Sequence, residues 1–342
     1  MNNTAALYIH IPFCIKKCTY CDFFSYETDR NPWLNIDNYV NHLLEEIPKQ
    51  QIFKLSTIFF GGGTPSLLEG HHVQKILDAV RAHFEVGPEA EISLEANPET
   101  LIEPECGIEK LRQYLQAGVN RISLGCQSFD ENVLSYLGRV HDAEANNIAF
   151  RNIREAGFEN VNIDLIFAVP GQAITSWQDT LQKAVQLGPE HIALYNLTID
   201  HGSRPLLQDD MLDLAMYRSA RSFLKKAGYT HYEISNFAKP GYECRHNLTY
   251  WHNEPYLGLG EGAISSTVTH DPVMTVILGL RMLREGVNYA RFKERHQTGI
   301  MEVFGKQIEE LVKLKMLKKG FRAITLTSRG LEVANQVFER FI

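Results

Sequence analysis

From its start to about residue 235, the chain alternates short runs rich in β-branched and aromatic residues with longer stretches of helical apolar spacing. The short runs are Ala6–Ile11, Thr57–Phe60, Glu91–Leu94, Arg121–Leu124, Asn162–Ile166 and His191–Tyr195. Between them, sets such as Val73, Ile76, Leu77 and Val80, or Leu181 and Val185, mark one face of a helix. Strands that alternate with such helices pair in parallel, because each helix carries the chain back across the sheet. Polar and glycine residues gather where the strands end. Cys14 follows the first, Gly61-Gly62-Gly63-Thr64-Pro65 the second, and Glu95-Ala96-Asn97-Pro98 closes the third. Ser123 and Gln127 end the fourth, Asp164 lies in the fifth, and Asn196 and Thr198 close the sixth. Chemistry at the carboxyl ends of successive strands is the arrangement of a β/α barrel. Six units imply an α/β fold with a partial (β/α)6 barrel over residues 1–235, open along one side. A doubly wound open sheet shares the same alternation.

The pattern breaks after residue 235. A polar, aromatic-rich connecting segment spans 236–273, and residues 274–342 read as a helical, winged-helix-like unit. Its elements are helices near Val276–Arg284 and Phe304–Lys315, a short hairpin beginning at Phe321, and a final helix from Ser328. Lys313, Lys315, Lys318, Lys319, Arg322 and Arg329 make the wing basic, which suits either a nucleic-acid contact or a solvated face. The whole chain carries 34 Lys and Arg against 41 Asp and Glu, a net charge of −7. That balance argues against a protein built to coat nucleic acid or an anionic membrane. The start of the chain has no basic region, and no apolar run approaches the ~18 residues of a membrane span, so a cytoplasmic protein is expected.

Six cysteines in 342 residues do not make a disulfide scaffold, but three of them cluster. Cys14, Cys18 and Cys21 have the spacing C-x3-C-x2-C with no fourth cysteine nearby. A four-iron cluster is normally held by four thiolates, so three would leave one iron open. S-adenosylmethionine can chelate that iron through its amino and carboxylate groups, and an electron from the cluster can cleave its sulfonium to give a 5'-deoxyadenosyl radical. The alternative is structural zinc, with His10 or a distant cysteine as fourth ligand. Cys106, Cys126 and Cys244 are scattered and read as free thiols.

Other residues have two readings each. The glycines at 61–63 let backbone approach a ligand, and their N–H and C=O groups can hold the zwitterionic end of such a cofactor; the bland reading is a tight turn. Glu95 and Asp164 suit the cofactor's ammonium and ribose hydroxyls, or else cap helices. Arg139 can pair bidentately with a carboxylate, or sit in a helix connection. In Cys244-Arg-His246-Asn-Leu-Thr-Tyr250-Trp251-His252, a histidine among flat aromatics suits ligation and stacking of a haem, or is a hydrogen-bonded loop histidine.

Taken together, Cys14-x3-Cys18-x2-Cys21 with Tyr20, Gly-Gly-Gly-Thr-Pro-Ser, Leu-Glu-Ala-Asn-Pro, Arg-Ile-Ser-Leu-Gly-Cys-Gln-Ser-Phe and Asn-Ile-Asp-Leu-Ile resemble the radical S-adenosylmethionine family of oxygen-independent coproporphyrinogen III oxidases, over nearly the whole chain. The resemblance implies a 4Fe–4S cluster on the three cysteines. It implies S-adenosylmethionine contacts at Tyr8, Tyr20, Gly62, Gly63, Thr64, Glu95, Gln127, Arg139, Asp164 and Thr198. Three features favour the haem-chaperone branch over the oxidases: Phe23 stands where oxidases carry a further Cys, only 13 residues precede Cys14, and His246-Asn-Leu-Thr-Tyr250-Trp251 matches the branch motif. That branch implies haem bound at His246, Tyr250 and Trp251, passage of haem to haem-dependent respiratory proteins, membrane association only through partners, and a tendency to dimerise. The alternative is radical decarboxylation of coproporphyrinogen III. Two departures stand out. Ala168 replaces a family glycine, and after Gly260-Glu-Gly262-Ala-Ile-Ser265 a stretch of a few dozen residues has shrunk to about ten.

Overall fold

Each of the six short apolar runs forms a strand, longer than its sequence pattern marks. The computed structural model describes residues 4–28, 35–197, 210–266 and 271–342. The strands are β1 (Thr4–Ile11), β2 (Lys54–Gly62), β3 (Glu85–Ala96), β4 (Arg121–Gln127), β5 (Val161–Phe167) and β6 (His191–Asn196). Crossing between them are α1 (Ile36–Glu46), α2 (Gly70–His83), α3 (Pro104–Ala117), α4 (Ala143–Ala156) and α5 (Ile174–Leu187), and α6 (Asp210–Lys226) follows β6. Local signals set the helix ends. Asn35 caps α1 by accepting the Asn38 N–H, and Asp142 caps α4 by accepting that of Ala145.

The strands pair in parallel in chain order, β1-β2-β3-β4-β5-β6, without reversal. A doubly wound sheet must reverse its strand order at one point, so this sequential order excludes it and gives a singly wound, curling sheet. Two short strands, β7 (Thr230–His231) and β8 (Asn236–Ala238), extend the β6 edge antiparallel, while β9 (Tyr256–Leu259) adds parallel to β1. Among the described residues no ladder joins β9 to β7, so the barrel stays open there.

Because side chains alternate along a strand, register decides what faces inward. One cross-strand row is apolar and fully buried outside the barrel: Ile9, Phe60, Leu94, Ile122 and Val161. The next, facing inward, is polar: Glu95, Ser123, Asn162 and His191. Outside, Trp177 of α5 is fully buried and donates its indole N–H to the Met216 carbonyl of α6 at 3.0 Å.

After β8 come α7 (Arg245–Trp251), α8 (Pro272–Arg281), α9 (Tyr289–His296) and α10 (Ile300–Lys313). A three-stranded antiparallel sheet, ordered β10 (Val287–Asn288), β12 (Ala323–Leu326), β11 (Leu317–Lys319), supplies the wing. A second apolar cluster built from Val276, Phe292, Phe304, Ile308, Ile324 and Val337 underlies these elements. The single final helix expected from Ser328 is instead two short ones, Ser328–Glu332 and Ala334–Phe338, broken where Val333 leaves helical geometry (φ −128°, ψ 36°).

Ala168, just past β5, has φ +63° and is buried. An L side chain in that region strains against its own carbonyl, whereas glycine does not. Ala168→Gly is therefore expected to stabilise the fold by up to ~1 kcal/mol, read as a higher urea midpoint with unchanged m.

Candidate functional site

The cysteine loop is closed at its base by a two-residue ladder: Phe13 pairs with Tyr26, and Cys14 with Glu27. Inside it, the Cys21 N–H donates to the Cys18 carbonyl at 3.2 Å, and Thr28 N–H to that of Cys14 at 2.8 Å. Cys14 is buried, Cys18 and Cys21 are half-buried, and all three are free thiols lining one cavity of about 350 Å³ at the barrel mouth. Burial pushes the thiols of Cys14 and Cys21 up, and the charges of neighbouring cysteines push the same way. Thr64 donates to the Cys14 sulfur at 3.6 Å, and Arg139 Nη1 to that of Cys18 at 3.4 Å. Donors aimed at sulfur favour thiolate, the form that binds metal. His10 is not a fourth ligand here: its Nδ1 accepts from the Tyr8 hydroxyl (3.1 Å) and its Nε2–H donates to the Phe24 carbonyl (2.8 Å). Three soft donors without a fourth suit an iron–sulfur cluster better than closed zinc.

Eleven residues singled out from the sequence line this cavity: the three cysteines, Tyr20, Gly62, Gly63, Thr64, Glu95, Gln127, Arg139 and Asp164. Thr198 lies outside the described residues. Gly62 has φ +113°, and a Cβ there would sit 2.6 Å from the His10 ring. One at Gly63 would sit 2.6 Å from the Phe13 carbonyl. These glycines let β2 pack against the cysteine loop. The sequence reading offers their N–H groups to a ligand, but here Gly62 donates to Glu95 Oε2 (3.2 Å) and Gly63 to the Ile11 carbonyl (2.9 Å). Gln127 holds φ +61° in the rim of β4, strain of the kind that collects at functional positions.

Neither acid caps a helix. Asp164 accepts from Ser123 (3.2 Å) and Asn162 (2.8 Å), and burial, opposed by these partners, raises its carboxyl. Glu95 is raised to about 8, by burial first and the Asp164 charge second, with the Gly62 N–H opposing. A raised folded value means that the fold holds this proton more tightly than the unfolded chain. The stability Glu95 contributes is thus complete below pH about 4.5 and lost as pH rises through about 8. Glu95→Gln is expected to flatten that decline in urea unfolding midpoints between pH 5 and 8.5, and a cation bound beside Glu95 is expected to offset it in the parent chain.

Arg139 is an internal strut. Its Nη2 donates to Asn97 Oδ1 (2.8 Å) and the Gly125 carbonyl (3.3 Å) and lies 3.6 Å from Glu99. The bidentate carboxylate pairing expected of it is therefore largely pre-empted, and only its Nε is buried without a partner. Burial alone would raise Glu99, but the hydrogen bond with His141 and the Arg139 charge overcome it and hold the carboxyl below its usual range.

His246, expected to ligate haem, is engaged within the protein. Its ring is 1% exposed and stacks on Phe59 at 4.9 Å. Nδ1 is bonded to Thr57 (2.9 Å) and Nε2 to Tyr250 (2.8 Å), while burial drives its pKa down to about 3. No ring nitrogen is offered to an iron in this conformation; the ring ties α7 to β2. Tyr8, Tyr250 and Trp251 line a second, aromatic cleft with Phe24, Tyr256 and Met274. Phe23, 60% exposed, lines both spaces, so the cysteine loop is the wall between them.

Sequence reasoning named Asn97 only as part of a strand end, and missed the Glu99–His141 pair and the inward polar roles of Arg121, Asn162 and His191. The period-2 spacing of Arg121, Ser123, Gly125 and Gln127 was the signal available for Arg121.

Among known proteins, a radical SAM superfamily profile matches residues 8–184, and a HemN C-terminal domain profile matches 270–333. The haem chaperone HemW of Lactococcus lactis is 35% identical over 375 aligned residues, covering 98% of this chain and 96% of that protein. The haem chaperone HemW of Escherichia coli is 38% identical, covering 97% and 84%. That of Bacillus subtilis is 34% identical, covering 98% of both. In fold, coproporphyrinogen III oxidase (HemN) from Escherichia coli, described as a radical SAM enzyme, superposes with a TM-score of 0.81 at 22% identity, over 98% of this chain and 89% of that one. Among the described residues, no helix is long and apolar enough to cross a membrane.

Proposed function

Because the chain belongs to the radical SAM superfamily and, within it, to the family of HemW haem chaperones, we propose that it binds haem and hands it to haem-dependent proteins, with a 4Fe–4S cluster and S-adenosylmethionine as its other cofactors. The observation that carries this reading is the shared wall: three free thiols face one cavity, and Phe23 on their loop also faces an aromatic cleft. Cys14, Cys18 and Cys21 would hold the cluster, which, when bound with S-adenosylmethionine, supplies the electron for cleaving a sulfonium. Thr64 and Arg139 orient two of the thiols, Glu95 offers an acceptor to a cationic group, and Tyr20 and Gln127 narrow the mouth against water. Haem would lie in the cleft against Phe23, Phe24 and Trp251, with the Tyr250 hydroxyl held in place by His246. Delivery to respiratory haem proteins, contact with membranes through those partners, self-association and a cytoplasmic location belong to the same proposal.

Flat aromatic surface is the main attraction such a cleft offers a porphyrin, worth roughly 1 kcal/mol or more per ring. Phe23→Ala with Trp251→Ala is expected to weaken haem binding about tenfold or more in an anaerobic titration read at the Soret band, leaving cluster content unchanged. Unaltered affinity in that double variant would remove haem from the cleft.

A further inference from the structure

Barrel interiors are ordinarily filled by layers of branched apolar side chains, and this one is hollow and polar to its floor. The deepest inward residue of β4 is Arg121, whose cross-strand neighbour on β3 is Ser93. Arg121 is 2% exposed and lines the cavity from below. Its Nε has no partner, and neither has the fully buried Ser93 hydroxyl beside it. Among the described residues no carboxylate comes within ion-pair distance of the guanidinium.

Burial would lower Arg121, but Cys244, Glu91, Tyr232 and Asp164 outweigh it and hold the guanidinium up, and Glu95 also feels its charge; the nearest acids nevertheless make their hydrogen bonds elsewhere. Glu91 accepts the backbone N–H groups of Arg245 and His246, both at 3.1 Å. Asp164 is taken by Ser123 and Asn162. His191 stays neutral, since burial holds its pKa far below the ordinary value, and both its nitrogens are bonded, to Asn162 (2.6 Å) and Tyr232 (2.8 Å). The floor thus holds one cation with no carboxylate in contact and with its Nε unpartnered. A buried donor left unpaired is costly, and an acceptor entering the cavity would satisfy it.

We propose that the barrel floor is a carboxylate-binding site in which Arg121 is the anchoring cation and Ser93 a supporting donor. A carboxylate fits because its two oxygens match the guanidinium fork. Gln127, at the rim beside the cysteine loop, is six residues further along the same strand, so the Arg121 backbone lies at most roughly 20 Å below the mouth. Arg121 and Arg139 line one cavity, and the charges of both reach Asp164 between them. The site takes the acidic end of a small organic molecule that occupies the barrel alongside the cofactor. It stands on the geometry of Arg121 alone and does not depend on the cluster or haem readings.

Thermal melting of the full-length chain in sodium formate, acetate, propionate, phosphate or chloride, at constant ionic strength, tests this. The expected result is a saturable rise in Tm with a carboxylate, absent in chloride, and weakened at least about tenfold in midpoint concentration in Arg121→Met. Arg121→Lys, which keeps the charge without the fork, is expected to respond partially. A response to phosphate alone would replace the carboxylate by an inorganic anion and overturn the assignment. Equal shifts in chloride, or an unchanged response in Arg121→Met, would overturn it too. If neither variant folds, the wild-type comparison of carboxylate with chloride still decides. Repeating the series with S-adenosylmethionine separates the readings. Additive stabilisation supports two sites, and mutual exclusion would mean that the floor takes that cofactor's own carboxylate. Failure of S-adenosylmethionine to bind would strike at the cofactor reading and leave the floor site standing.

Discussion

Alanine at any one of Cys14, Cys18 or Cys21 is expected to reduce the iron and sulfide retained after anaerobic reconstitution to background, with loss of the brown chromophore. Among the described residues, the alternatives His10, Cys126 and Cys244 that the sequence offered as ligands are committed or enclosed. The His10 nitrogens are committed to Tyr8 and Phe24. Cys126 is fully buried, and Cys244 lies at the barrel floor with its thiol on Glu91. The fold itself should tolerate the change at Cys18 and Cys21, which are half-exposed, within ~0.5 kcal/mol. Unchanged circular dichroism beside lost iron is therefore the expected pair of observations. A variant keeping its full iron content would contradict the assignment of the loop.

The second large effect belongs to Arg139. Its side chain is 5% exposed and joins Cys18, Asn97, the Gly125 carbonyl and Glu99. Removing one member of a buried charged network costs more than the network contributes, because the remaining partners stay desolvated. Arg139→Met is expected to lower stability by about 3 kcal/mol in urea unfolding of the chain before cluster assembly. Arg139→Lys should recover only part of this, since an ammonium cannot span Cys18 and Asn97 together. A loss under ~1 kcal/mol would show that Glu99 is already satisfied by His141 alone.

The six strands were legible because each is a run of β-prone residues bounded by glycine or polar residues, and because burial on both faces leaves few competing patterns. Whether the sheet was singly or doubly wound was not legible: alternation is common to both, and only the unreversed strand order separates them. Cys14, Cys18 and Cys21 were readable from spacing, since few other structures need three cysteines within eight residues. Glycine and histidine misled for one shared reason. A residue type that suits a ligand also suits tight packing, and only the partners decide. Gly62 and Gly63 spend their N–H groups on Glu95 and Ile11, and His246 spends both nitrogens on Thr57 and Tyr250. Arg121 went unnoticed because its chemistry is relational: an arginine at the start of a strand becomes remarkable only when the acids near it prove to be engaged elsewhere. The break at Val333 depends on a local backbone geometry that no composition signal marks.

The central claim, that this chain handles haem rather than decarboxylating a porphyrin precursor, is tested most directly by one anaerobic experiment on the reconstituted protein. Haem-loaded protein is mixed with a haem-free acceptor, and in parallel the haem-free form is incubated with reductant, S-adenosylmethionine and coproporphyrinogen III, with products followed by mass spectrometry. The account predicts transfer of the Soret absorbance to the acceptor and no decarboxylated product beyond background. Catalytic amounts of decarboxylated porphyrin, with haem left on the protein, would contradict it.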